Sequence, residues 1–164
     1  MSENFLVKLF EHNHWANLQI IQACASLSDE QLDAEPQSAT MGSIRQTLIH
    51  LVGAQHNYLR LLSLPLDQRQ DRLSLEFAGL LESATRSGEA LTALLRENTS
   101  PYLQTPFQTR NGYLVEPWVL VVEIINHATE HREQIKSMLS ALGVTPPAID
   151  GWDYGETANG MRPV

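Results

Sequence analysis

Four long segments of the chain repeat apolar residues at the spacing of an amphipathic helix, and this feature restricts the fold more than any other. The segments span about residues 4–25, 43–62, 74–98 and 117–142. Ser43 and Gln46 have the spacing of a capping box at the start of the second segment. Pro117 suits the first turn of the fourth segment, and Gly143 suits its end. With almost no strand pattern between them, the segments predict an all-α fold, a four-helix bundle, in a single domain of residues 1–164.

Two stretches outside these helices carry weaker signals. Residues 109–113 contain the pair Asn111-Gly112, the strongest short signal for a hairpin turn. We therefore expect a short β-hairpin or an extended loop before the last helix. Residues 145–164 are rich in glycine and proline and show no strong periodicity, so no element is predicted there.

The charge balance argues against nucleic acid as a partner. Asp and Glu number 19 against 11 Lys and Arg, which gives a net charge of -8, and the basic residues are scattered. The most apolar run, residues 114–125, contains Glu116 and Glu123 and is too short to span a bilayer. The single cysteine, Cys24, excludes an internal disulfide and a cysteine-based zinc cluster. Because no signal-peptide pattern is visible, we expect a cytoplasmic protein with no membrane partner.

The histidines carry the most chemical information. His127 and His131 are four residues apart in the fourth segment, so their side chains lie one turn apart on one face. On a helical wheel they share a stripe with Leu120, Ile124 and Met138, which points both imidazoles at the bundle core. Two buried imidazoles need partners. A divalent metal satisfies both through a ring nitrogen of each, and hydrogen bonds to Glu, Asn or Tyr are the alternative.

A third metal ligand would have to come from another helix, and His50 in the second segment is the preferred candidate. On a wheel it lies about 120° from the centre of the apolar stripe, so the wheel alone does not decide the matter. Asn13 and Asn17 lie on the inward face of the first segment, where their amides could orient a ligand or water or, as we expect, bridge helices. The other histidines are expected at the surface or in packing roles; they are His12, His14 and His56.

Three stretches resemble motifs of the DinB family. They are residues 13–17, 43–51 and 126–135, which read NHWAN, SIRQTLIHL and NHATEHREQI. The resemblance extends over nearly the whole chain and implies a bundle with an up-down-down-up course and a three-histidine metal site. The family's ligand positions match His50, His127 and His131. The resemblance also implies zinc or nickel as the metal and a homodimer.

The function implied by the resemblance is a metal-dependent enzyme acting on a small molecule, with a thiol-dependent S-transferase as the favoured subtype. Three neutral imidazoles leave a divalent metal with its full charge and open positions, the arrangement of a catalytic site. Glu123, one turn before His127, is the candidate catalytic residue, as a proton acceptor or as a partner of a ligand. A buried structural glutamate is the alternative for it. The implied partners are a small-molecule substrate and a low-molecular-weight thiol.

A non-enzymatic role is the second hypothesis: a metal-binding protein of the stress or damage response. An open metal in a pocket would favour the enzyme, and a closed coordination shell would favour the second role. Because several residues near the motifs depart from the family pattern, the family's substrates do not transfer to this chain. The departures are Tyr58, Thr129, Glu130 and Glu133.

Overall fold

A computed structural model describes residues 4–36, 41–69, 74–98 and 100–162 of the chain. Four long α-helices make the bundle, and two short ones follow the first and the last of them. The helices are α1 (Phe5–Cys24), α2 (Asp29–Leu32), α3 (Ile44–Ser63), α4 (Leu80–Glu97), α5 (Pro117–Ala141) and α6 (Gly151–Thr157). Within the described ranges, none of them combines the length and the hydropathy that a membrane span requires.

A two-stranded antiparallel hairpin precedes α5, as the Asn-Gly pair predicts. Its strands are β1 (Phe107–Gln108) and β2 (Leu114–Val115), with Phe107 opposite Val115. Gly112 in the turn has a φ of 87°, a left-handed conformation that glycine adopts without strain. Phe107 is buried in the core, so the hairpin is anchored to the bundle through this side chain.

The third long helix begins later than its apolar pattern predicts. α4 starts at Leu80, after a 3-10 turn at Phe77–Gly79, whereas the pattern places the start near residue 74. Leu75 and Phe77 still pack against the core. Their apolar contacts come from an irregular segment, which a periodicity argument does not separate from a helix.

α6 lies in the tail, for which the sequence pattern predicts no element. The Asp150 side chain accepts hydrogen bonds from the backbone N–H groups of Trp152 and Asp153, and the Asp153 carboxylate accepts one from the N–H of Asp150. This reciprocal capping box starts the helix. The residues of α6 are exposed or half-buried, so the helix has no apolar stripe that a wheel would detect.

Two apolar clusters at opposite ends of the bundle show the direction of each helix. The upper cluster comes from the end of α1, the starts of α3 and α4, and the end of α5. The lower cluster comes from the start of α1, the ends of α3 and α4, and the start of α5. The upper cluster includes Ile20, Leu48, Ala84 and Leu139, and the lower cluster includes Phe10, Leu62, Leu91 and Ile124. α1 and α5 therefore run one way and α3 and α4 the other, which confirms the up-down-down-up course.

The four long helices pack in a ring. α1 packs on α4 and α5, and α3 packs on the same two helices. The seam between α3 and α5 therefore lies on the opposite side of the bundle from the seam between α1 and α4. Because α3 and α4 run parallel, the chain between them returns along the length of the bundle.

Five buried polar side chains separate the two apolar clusters, and we call them the polar layer. Arg132, of which 3% is exposed, donates hydrogen bonds to the Oδ1 atoms of Asn13 (2.7 Å) and Asn17 (2.6 Å). Asn17 Nδ2 donates to Gln55 Oε1 (2.8 Å), and Gln55 Nε2 donates to Ser87 Oγ (2.7 Å). The layer links α5, α1, α3 and α4, and it confirms the bridging role predicted for the two asparagines. Directional bonds of this kind resist the sliding of one helix past another.

Candidate metal centre

Three histidine side chains meet at the seam between α3 and α5. His50 comes from α3, and His127 and His131 come from α5, one turn apart. His127 Nε2 lies 3.0 Å from His50 Nε2 and 3.2 Å from His131 Nε2. One ring nitrogen of each residue lies within 4.8 Å of the other two, so the three could hold one ion. The structure thus brings together the predicted ligands, and we call them the histidine triad.

The packing of α3 explains why a helical wheel leaves His50 undecided. α3 lies between α4 and α5, so the flank of its apolar stripe also faces a helix. His50 is half-buried on that flank and contacts His127. A residue about 120° from the centre of an apolar stripe can therefore still reach an interior seam.

The hydrogen-bond partner of His131 defines its tautomer. His131 Nδ1 lies 2.8 Å from Gln134 Oε1, and because a carbonyl oxygen only accepts, Nδ1 carries the proton. In the neutral form of the ring, Nε2 of His131 then presents a lone pair toward His127. His127 Nε2 carries at most one proton, so it can donate a hydrogen bond to only one of its two neighbours, His50 Nε2 and His131 Nε2. A cation between the three rings would satisfy all three lone pairs.

Two of the three separations within the triad fit a small divalent ion. Zn–N bonds of about 2.0–2.1 Å separate neighbouring ligand nitrogens in a tetrahedral site by about 3.3 Å. The two separations from His127 Nε2, 3.0 and 3.2 Å, are close to that value. Three protein ligands leave a coordination position for another molecule, as in catalytic zinc sites.

Burial keeps the His127 imidazole neutral. Desolvation lowers the pKa of His127 to about 4, and the neighbouring His131 and His50 add to the shift. The imidazole is therefore neutral at pH 7. Neutral imidazole is the form that binds a metal, so the ring needs no deprotonation before it can act as a ligand.

Acid is expected to destabilise the metal-free protein. The pKa of His127 is 6.5 in a model peptide and about 4 in the folded chain, so between these values the unfolded state binds more protons. This contribution to stability is full above about pH 6.5 and is lost as the pH falls toward about 4. Thermal unfolding at a series of pH values, with chelator present, measures the effect. His127→Gln should make the pH dependence shallower, and an unchanged slope would contradict the assignment. Burial also lowers the pKa of His14 and His56, so part of the slope remains in the variant.

Glu123 lies one turn before His127 on α5, and its exposed side chain does not fit the role of a buried structural glutamate. The Tyr58 hydroxyl donates a hydrogen bond to Glu123 Oε1 (3.2 Å). The Tyr58 ring lies edge-on to His127, with ring centroids 5.6 Å apart. Burial and the Glu123 carboxylate raise the pKa of Tyr58, so its hydroxyl stays protonated and continues to donate. Tyr58 thus links the candidate catalytic carboxylate to the triad, a role that no sequence spacing indicates.

The remaining histidines lie outside the triad. His12 Nε2 is 2.9 Å from the carbonyl oxygen of Ile149, and His56 Nε2 is 2.7 Å from Ser83 Oγ. His14 packs against Gly88 of α4, and its Nδ1 is buried with no hydrogen-bond partner among the described residues. All three are half-buried, and His12 and His56 form hydrogen bonds while His14 packs against a helix, so none of them belongs to the candidate metal centre.

A small cavity lies between the triad and the polar layer. Asn13, Gln55, Tyr58 and His127 are among the residues that line it, and its volume is about 10 Å³. That is about the space of one water molecule. The interior side of His127 therefore admits no organic substrate, and a substrate would have to approach the triad from outside the seam.

Two solved structures share this architecture. YfiT from Bacillus subtilis, described as "a probable metal-dependent hydrolase with an unusual four-helix bundle topology", has a TM-score of 0.67 at 21% identity, over 88% of this chain and 91% of that one. A DinB-like protein from Bacillus cereus has a TM-score of 0.63 at 15% identity, over 88% of this chain and 95% of that one. At these identities the likeness shows the fold alone.

Comparison at the level of sequence gives the family. No curated protein matches the chain. The model of the DinB family matches residues 1–162. The match covers the helices that carry the histidine triad, the polar layer and the short helix of the tail. The chain therefore belongs to the DinB family.

Proposed function

We propose that this protein is a metal-dependent enzyme acting on a small molecule, with one divalent ion, zinc or nickel, held by His50, His127 and His131. The close approach of three ring nitrogens at one seam supports the proposal most directly. The description of YfiT as a probable metal-dependent hydrolase, in a protein of the same fold, points the same way.

The chemistry follows from the neutral ligand set. A divalent ion bound to three imidazoles acts as a Lewis acid and lowers the pKa of a bound water or thiol. Gln134 holds the His131 ring so that Nε2 faces the triad. Glu123 accepts a proton at its carboxylate, and Tyr58 holds that carboxylate beside His127.

Two kinds of nucleophile are compatible with this centre. Water would make the protein a hydrolase, the activity class in the description of YfiT. A low-molecular-weight thiol would make it an S-transferase, the subtype that the sequence motifs favour and that we keep as the finer proposal. In both cases the carboxylate of Glu123 receives the proton of the nucleophile.

We also propose that two copies of the chain associate. Phe5 and Leu9 on α1 and Trp118 and Val122 on α5 are large apolar side chains that remain exposed. α1 and α5 pack on each other, so these side chains lie on neighbouring helices. Exposed apolar side chains on neighbouring elements are typical of association surfaces.

Metal content tests the triad directly. Protein purified without a histidine tag or chelator is expected to contain one equivalent of zinc or nickel by elemental analysis. His127→Ala should lower the content about tenfold or more, since even the loss of a group that supports a ligand costs that much. His56→Ala, on α3 but outside the triad, should keep the metal. The proposed metal site would be wrong if His127→Ala kept its metal, or if the wild type contained no metal after reconstitution. Circular dichroism checks that each variant remains helical.

The second candidate function is a non-enzymatic metal-binding protein of the stress or damage response, and the very small interior cavity favours it. An activity screen of the metal-loaded protein distinguishes the two functions. Esters in water test for hydrolysis, and electrophiles mixed with thiols test for S-transfer. In an enzyme, Glu123→Gln should lower turnover while metal content stays the same, because the carboxylate lies outside the triad. Metal binding with no turnover across the screen would favour the second function.

A further inference from the structure

A groove runs along the seam between α1 and α4, on the opposite side of the bundle from the histidine triad. Its volume is about 520 Å³. Sites for small molecules have volumes of about 300–1,000 Å³. Its lining includes Glu11, His14, Trp15, Glu89, Arg96 and Tyr154, and we call it the α1–α4 groove. Because the groove is separate from the triad, an inference about it does not depend on the proposed function.

Trp15 of α1 and Tyr154 of α6 form an aromatic wall of the groove. Their ring centroids are 5.4 Å apart, and the His12 ring packs on both, at 6.0 Å from Trp15 and 5.5 Å from Tyr154. His12 Nε2 is also 2.9 Å from the carbonyl oxygen of Ile149, which ties the segment before α6 to α1. The wall is therefore assembled by contacts within the protein. Indole and phenol faces attract cations.

Among the described residues, one carboxylate of the groove, that of Glu11, is paired, and the other, that of Glu89, is not. Glu11 accepts a hydrogen bond from Arg96 (2.7 Å) and forms an ion pair with Lys8 (2.9 Å), so its charge is compensated. Glu89 is exposed and has no hydrogen bond or ion pair to any residue that the structure describes. Burial lowers the pKa of His14 more than the nearby Glu89 carboxylate raises it, so the neutral imidazole does not compensate Glu89 at pH 7.

We propose that the α1–α4 groove binds a small organic cation, whose apolar body packs on Trp15 and Tyr154 while its ammonium group contacts the Glu89 carboxylate. An anion is disfavoured because Glu89 would repel it and because Arg96 is already bound to Glu11. A neutral molecule would gain the aromatic contact alone. The wall and the carboxylate together favour an organic cation with an apolar body over an anion or a neutral molecule.

Titration calorimetry with phenethylammonium tests the proposal, and 2-phenylethanol serves as the matched probe without the charge. We expect saturable binding of the amine and an affinity about fivefold lower for the alcohol, the effect of one exposed charge contact. Equal affinities for the two probes would overturn the proposal, and so would the absence of saturable amine binding.

Variants assign the binding to the groove. Glu89→Gln should lower the amine affinity about fivefold and leave the alcohol unchanged. Glu97→Gln changes an exposed glutamate of the same helix outside the groove lining, and it should alter neither. Trp15→Leu should weaken both probes, and thermal unfolding reports whether this variant still folds. If Trp15→Leu does not fold, Tyr154→Leu replaces it and tests whether the aromatic wall contributes to the binding of both probes. If Glu89→Gln bound the amine with the affinity of the wild type, the amine would bind outside the α1–α4 groove and the proposal would be wrong.

Discussion

Arg132→Ala is expected to destabilise the protein by about 3 kcal/mol or more. The substitution removes the guanidinium group that donates hydrogen bonds to the Oδ1 atoms of Asn13 and Asn17. Both asparagines are buried in the core. Each buried acceptor left without a partner costs about 1–3 kcal/mol, and the lost side chain adds a cavity. Urea unfolding followed by circular dichroism measures the change.

Two further variants distinguish the effect of breaking the hydrogen-bond network of the polar layer from the effect of losing any arginine. Arg86→Ala removes an exposed arginine whose ion pair with Glu82 is also exposed, so it should change stability by no more than about 0.5 kcal/mol. Arg132→Met fills much of the volume and removes the cost of burying the guanidinium group, so it should fall between the two. A loss below about 1 kcal/mol in Arg132→Ala would show that the polar layer adds little to stability.

Gly88→Ala is expected to destabilise the protein by about 1–3 kcal/mol, although alanine is the better helix former by about 1 kcal/mol. A Cβ atom at Gly88 would lie 2.0 Å from His14 Nδ1 and 2.8 Å from His14 Cε1 and Cγ. Such distances force the half-buried ring or the helix to move. Thermal and urea unfolding of the variant measure the cost.

The chain contains a matched control for this substitution. Gly53 also lies within a long helix, but the nearest atom to a Cβ there is Leu75 Cδ1 at 3.9 Å. Gly53→Ala should therefore stabilise the protein by up to about 1 kcal/mol. Adding His14→Ala to Gly88→Ala should remove the clash and recover part of the loss. If Gly88→Ala changes stability as Gly53→Ala does, the close contact between α1 and α4 at Gly88 would be contradicted.

The bundle and part of the candidate metal site follow from local rules that need no knowledge of the fold. The apolar period and the Ser43 capping box predict three of the four long helices closely, and the spacing of His127 and His131 places both on one inward face. His50 is different, because its exposure depends on which helix packs against the flank of α3. The resemblance to the family motif, and not the wheel, is what indicates His50 as a candidate ligand.

Features that depend on contacts between distant segments were not predictable in this way. Arg132 reads as an ordinary charged residue of a helix, and only the meeting of α1 with α5 shows that two asparagines make its burial possible. Gly88 reads as a weak point of its helix, but the structure shows that the His14 ring needs the space of its missing side chain. The role of Tyr58 depends on Glu123, 65 residues away.

The division of the interior into two clusters has a consequence for how the protein is made. Each cluster contains residues from all four long helices, so neither is built from a continuous part of the chain. Synthesis releases α1, α3 and α4 first, and both clusters lack the residues of α5 until that helix has been made. We therefore expect the nascent chain to expose three apolar helix faces until α5 has emerged from the ribosome.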